Sequence, residues 1–121
     1  MAVLSYRDLI AWQKAMDFVV DLYQVTQQFP REEQYGLTNQ LRRAAVSVPS
    51  NIAEGQGRGP GNQFVYHLGI AQGSIQEAET QIILADRLSF ARTDDLNRLL
   101  TRAEEVGRLN RGLQQSIIVP D

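Results

Sequence analysis

The sequence predicts an all-α protein, an antiparallel up-and-down four-helix bundle. Three observations carry that reading. Apolar residues recur at three- and four-residue spacing through four separate segments, proline and glycine punctuate the chain between them, and no stretch alternates with period two. At 121 residues the chain can bury a sizeable core, so residues 1–121 read as a single domain.

The first helix spans about 8–28, with Leu9, Trp12, Met16, Val19 and Tyr23 on one face and Pro30 ending it. The second spans about 31–56 and carries Leu37, Leu41, Ala44, Val48 and Ile52. Pro49 lies inside it. A proline there removes one backbone hydrogen bond and crowds the preceding turn, so a kink or a break near Ala45 is expected. Gly55, Gly57, Gly59, Pro60 and Gly61 form the clearest breaker cluster, after which Asn62 is a candidate cap.

The third helix, about 62–88, has the most regular seam: Phe64, Leu68, Ala71, Ile75, Ala78, Ile82 and Ala85. The fourth, about 94–118, starts at Thr93 as a candidate cap, with Asp94 and Asp95 where the helix dipole favours anions. Its seam is Leu96, Leu99, Ala103, Val106, Asn110, Leu113 and Ile117, and Pro120 stops it. Gly69 and Gly73, one turn apart, are expected to allow close helix approach. Phe18, Val20, Leu22, Ile70, Ile83 and Ile118 lie off these seams, an apolar surplus that completes the core or supports self-association.

Composition narrows the chemistry. There is no cysteine, hence no disulfide and no thiolate nucleophile or ligand. No run approaches the ~20 apolar residues that span a bilayer, and no basic stretch leads an apolar one at the N-terminus, so a cytoplasmic protein is expected. The formal net charge of −2 argues against coating nucleic acid by bulk charge. The Gly55–Gly61 run follows a helix and lacks a following Lys-Ser or Lys-Thr, which reads as a connection and not a phosphate loop. His67 is the single histidine, with no Glu three residues before it, so no metal site and no cofactor is expected.

Glu54, Glu77 and Glu79 are the carboxylates that would make an acid/base site if buried together; the commoner use is to pair with Arg, and a non-enzymatic protein is the expectation. Asn110, and Asn51 after Pro49, are candidate register-setting amides. Trp12 reads as a core anchor or interface residue. Arg42 and Arg43, with Arg58, form the most compact basic group and are the candidate phosphate contacts; Arg98 with Arg102, and Arg108 with Arg111, are further pairs that could contact phosphates but whose expected use is in intramolecular ion pairs and a solvated face.

The segment Leu41-Arg42-Arg43-Ala44-Ala45-Val46-Ser47-Val48-Pro49-Ser50-Asn51-Ile52-Ala53-Glu54-Gly55 resembles the four-helix bundle family named for proteins encoded in intervening sequences of 23S ribosomal RNA. The resemblance extends to Tyr6-Arg7-Asp8-Leu9, Trp12-Gln13-Lys14-Ala15-Met16, Tyr35-Gly36-Leu37, Gly73-Ser74, Glu77, Glu79-Thr80-Gln81 and Ala85, and is weakest in the fourth helix. It implies a closed bundle that assembles as a homopentamer around a central channel. Related members include the accessory variability determinant of diversity-generating retroelements, a basic pentamer that binds nucleic acid and a reverse transcriptase. Arg42, Arg43 and Arg58 match the family's basic positions, and Asn51 and Glu54 its polar motif. Before Leu68 the chain departs from the pattern, with Tyr66 and His67 in place of a basic residue and an aromatic.

Two functions stand side by side at this point. One is an oligomeric adaptor that binds RNA or an RNA-associated protein through Arg42, Arg43 and Arg58. The other is a purely protein-binding or structural homo-oligomer in which those arginines pair with Glu54, Glu77 or Glu79.

Overall fold

A computed structural model describes residues 5–117. Its four helices are α1 (Ile10–Val25), α2 (Leu37–Gly57), α3 (Asn62–Arg87) and α4 (Thr93–Ser116), with short 3-10 turns at Tyr6–Asp8, Thr26–Gln28 and Arg31–Glu33. Each helix packs on its chain neighbour, and α1 closes the ring against α4. The pairs that meet run in opposite directions: Asp21 meets Arg98 while Lys14 meets Glu105, and Leu68 meets Asn110 while Val65 meets Gln114. The bundle is therefore antiparallel and up-and-down, as the periodicity predicts. The expected Ile118 and Pro120 lie outside the described residues.

The predicted seams of α2 and α3 are buried throughout, and that of α4 from Leu96 to Asn110. Leu113 and Ile117 are partly buried against the core. In α1 the phase is different. Ala11, Ala15, Phe18, Leu22 and Val25 face the core, with Phe18 and Leu22 fully buried, while Met16 and Tyr23 are exposed and Trp12 and Val19 half-buried. The predicted α1 stripe exists, but it lines an outer groove against α2. Leu9 alone of that stripe is in the core. Val20, Ile70 and Ile83 stay exposed as surplus.

The helix ends depart from expectation for local reasons. α2 starts at Leu37 and not near Arg31, because the Glu33 carboxylate accepts from Leu37 N–H at 3.0 Å and fixes the first turn there. It runs unbroken through Pro49, which excludes the break, and continues past Gly55 to Gly57. The reversal falls at Gly59 and Gly61, whose φ values of 84° and 115° favour glycine. Asn62 and Thr93 are first helical residues and not caps. Instead, Gln28 accepts from Arg92 N–H at 3.0 Å and donates to Asp95 at 2.8 Å, tying the loop after α1 to the start of α4. Thr93 donates to Asp86 at 2.9 Å.

Close helix approach does not occur at Gly69 and Gly73, which have open or ordinary surroundings. It occurs at Gly55. A Cβ there would lie 2.8 Å from the Cβ of His67 and 3.1 Å from Phe64 Cδ1, so α2 and α3 meet almost backbone to side-chain base. Replacing Gly55 with Ala is expected to cost about 1–3 kcal/mol by overpacking. The same change at Gly57, where a Cβ meets nothing within 4 Å, should be neutral or stabilising by up to about 1 kcal/mol. Urea denaturation of the two variants checks the opposite signs.

Candidate functional site: the polar face of helices two and three

The core seam of α2 is flanked by polar residues at the same spacing: Gln40, Arg43, Ser47, Asn51, Glu54 and Arg58. Those of α3 that meet them are His67, Ser74, Glu77 and Gln81. Two helices packed antiparallel place these rows opposite each other, so one rising row meets one falling row.

At the lower end, near the α2/α3 turn, the Asn51 side chain donates to Ser47 O at 2.9 Å and to Ser47 Oγ at 3.0 Å. Its Oδ1 lies 3.1 Å from His67 Nδ1, which fits a proton on that nitrogen. His67 is 8% exposed, and its Nε2 lies 3.6 Å from the Glu54 carboxylate, which also faces Arg58 at 3.6 Å. Asn51 thus holds the one histidine, and Glu54 lies beside its other ring nitrogen. Ser74 donates to Ser47 at 2.9 Å, so the polar row crosses from helix to helix without a gap.

Above the serine pair the helices part into a cleft of about 390 Å³, lined by Asn39, Gln40, Arg43, Ala44, Ser47, Ser74 and Glu77. Arg43 and Glu77 line it from facing helices, and neither has an ion-pair partner among the described residues. Gln81 adjoins it and is 8% exposed. Its Nε2 reaches Gln40 and Glu77 only at 3.5 Å each, and its Oε1 has no donor. A buried acceptor left in that state costs about 1–3 kcal/mol.

The structure does not gather the three candidate arginines. Arg42 points to α1. Its Nε donates to Thr26 Oγ1 at 2.9 Å and a terminal nitrogen to Tyr23 O at 3.2 Å, with the guanidinium 4.6 Å from the centroid of the Tyr23 ring. It satisfies the carbonyl end of α1, where the helix dipole favours a cation. Arg43 faces α3. Arg58 lies fifteen residues further along α2, roughly 22 Å by the helical rise. Glu54 and Glu77 do not converge either: Glu54 sits level with His67, ten residues or roughly 15 Å from Glu77 along α3. Asn39, Gln40, Ser47, Ser74 and Gln81 were not singled out from the sequence. The signal was the three-four spacing of Gln40-Arg43-Ser47 and Ser74-Glu77-Gln81, a polar copy of the core rhythm.

The remaining basic pairs are divided between ion pairs and solvent. Arg98 grips Asp21 at 2.8 and 2.9 Å and Asp95 at 2.8 Å, and Arg102 reaches Asp21 at 3.1 Å. Arg108 and Arg111 are exposed. The Arg98 hydrogen bonds hold the Asp21 carboxyl below its usual range, outweighing its partial burial. Burial, reinforced by Glu104, pushes Glu79 the other way. Asn110 is fully buried, donating to Leu68 O and Gln72 Oε1 at 2.9 Å each, and matches a register device between α3 and α4.

These features define a helical-bundle protein whose distinguishing surface is a polar, hydrogen-bonded helix pair beside an apolar groove. The chain belongs to the 23S rRNA-intervening sequence protein family, whose model matches residues 7–112. Its fold is similar to that of a crystal structure of a protein of unknown function from the S23 ribosomal protein family of Bacteroides thetaiotaomicron. The two share 18% sequence identity and a TM-score of 0.81 over 88% of this chain and 100% of that one. No curated protein matches the chain.

Linkage fixes the sign of the acid response. Asp21 has a lowered folded pKa, so its contribution is present above the ordinary carboxylate value and is lost as pH falls through and below about 4. Glu79, with a raised folded pKa, opposes folding when ionised and gains stability over the approach to its folded value from above. Asp21→Asn should therefore flatten the fall in stability between about pH 5 and 3, whereas Glu79→Gln should stabilise the protein at pH 7. Thermal melts from about pH 7 down to 3 measure both.

Proposed function

We propose that the protein is a non-enzymatic, cytoplasmic, oligomeric adaptor that binds RNA or an RNA-associated protein, with the polar α2/α3 face as its ligand surface. The observation that carries this reading is Arg43: an exposed guanidinium without an ion-pair partner among the described residues, on the rim of a polar cleft in a chain of this family. Arg58 is a second contact, because an ion pair with both side chains about half exposed is worth little and gives way to a phosphate. Arg42 serves by holding α1 against α2.

Assembly uses the outer groove of about 360 Å³ between α1 and α2, lined by Tyr6, Trp12, Met16, Val19, Val46, Pro49, Ser50 and Ala53. Its lining is mostly apolar, Trp12 packs edge-on to Tyr6 at 5.3 Å, and Met16 and Val46 are 40% and 39% exposed. Surface of that kind is suited to a second copy, and the family resemblance suggests a homopentamer. A purely protein-binding or structural homo-oligomer is the second reading, favoured by the engagement of Arg42 and Arg58 within the protomer.

Fluorescence anisotropy with a labelled structured RNA, from about 50 to 200 mM salt, tests the adaptor. Affinity should fall with salt, and Arg43→Ala should weaken binding and lower the slope of log K against log salt by about 1. Absence of binding at low salt leaves the protein-only reading. Light scattering of Met16→Glu and Val46→Glu should show smaller particles with helical content unchanged; unaltered mass would put the contact elsewhere.

A further inference from the structure

The cleft above the Ser47–Ser74 pair holds more than a phosphate contact needs. A phosphate site asks for donors, yet one end of this cleft is built of acceptors: Gln40 Oε1 and the Glu77 carboxylate, beside the buried Gln81 whose Oε1 lacks a donor. Across from Glu77 stands Arg43, and the two remain apart instead of closing on each other as an ion pair. Ala44 contributes an apolar part of the lining. The volume lies at the small end of ligand pockets.

A ligand matching these groups presents N–H donors toward Glu77 and Gln81 and an acceptor toward Arg43 on the same small planar edge. We propose that the cleft receives a nucleobase bearing an exocyclic amino group, as cytosine, adenine and guanine do and uracil does not; this rests on the RNA-binding reading. Carboxylates accept from the amino group of cytosine, side-chain amides pair with adenine, and Arg donates to base acceptors or to the adjoining phosphate. The serine hydroxyls stand at the sugar end. Uracil offers a single N–H flanked by two carbonyl oxygens, so seating it against Glu77 leaves a carbonyl facing a neighbouring acceptor with both unpaired, and it is disfavoured. The Glu77 charge also repels any bare phosphate that would otherwise enter the cleft.

Anisotropy with labelled eight-residue oligo-C, oligo-A and oligo-U at one salt concentration tests this. The expected result is at least about fivefold tighter binding of oligo-C or oligo-A than of oligo-U, one base pairing's worth of discrimination. Glu77→Ala, an exposed helical position, should erase the preference, weakening oligo-C and oligo-A relative to oligo-U. Gln81→Met should erase it too while leaving the melting temperature equal or higher, because the change removes a buried acceptor without a donor; a purely structural glutamine would lower it. Equal binding of the three oligomers by the unaltered protein overturns the base site and leaves the adaptor standing. If no RNA binds, the RNA-binding reading falls, and titration with free cytidine and uridine monophosphates decides the cleft. Selective uptake of the cytidine nucleotide retains it as a nucleotide site, and no uptake overturns it.

Discussion

Gly55 sets the separation of α2 and α3, and the polar face exists because of that separation. With hydrogen in place of a methyl group, the C-terminal turn of α2 rests on His67 and Phe64. His67 is then buried yet within reach of Asn51 and Glu54. From that pivot the rows stay in register through Asn51, Ser47 and Ser74, and the cleft opens where paired small polar groups give way to Arg43, Glu77 and the glutamines. A half-buried hydrogen-bonded row of this kind specifies one register more sharply than apolar contact, which tolerates sliding.

How much of this was legible depended on how many faces a helix uses. α3 buries one stripe, so Phe64 to Ala85 announced themselves and were found where expected. α1 carries two apolar stripes side by side. The one with the larger residues, Trp12-Met16-Val19-Tyr23, looks like a core seam but faces outward, while the true core face includes Ala11 and Ala15, which contribute little to a hydropathy pattern. Periodicity shows that a face is apolar and says nothing of what covers it.

Ends and sites were harder to see than seams. Gln28 capping α4 and Arg42 closing α1 are contacts across loops and helices, without a local signature in sequence. The same holds for Arg42 and Arg43: adjacent in sequence, they stand about 100° apart around α2 and serve different neighbours. The cleft was present in the sequence only as polar residues at core spacing, a pattern that also describes an ordinary solvated flank.

The ion-paired closure of the ring has a consequence for how the chain reaches this state. α2 and α3 are joined by a short turn, so their pairing closes small loops. Asp21 and Arg98 are separated by 77 residues, and bringing them together closes most of the chain at once. Loop-closure entropy and contact order put that event late, after the α2/α3 hairpin has formed. The first and last helices are then also the parts that open most readily by local fluctuation, which would let α1 leave the α2/α3 pair without dissolving it.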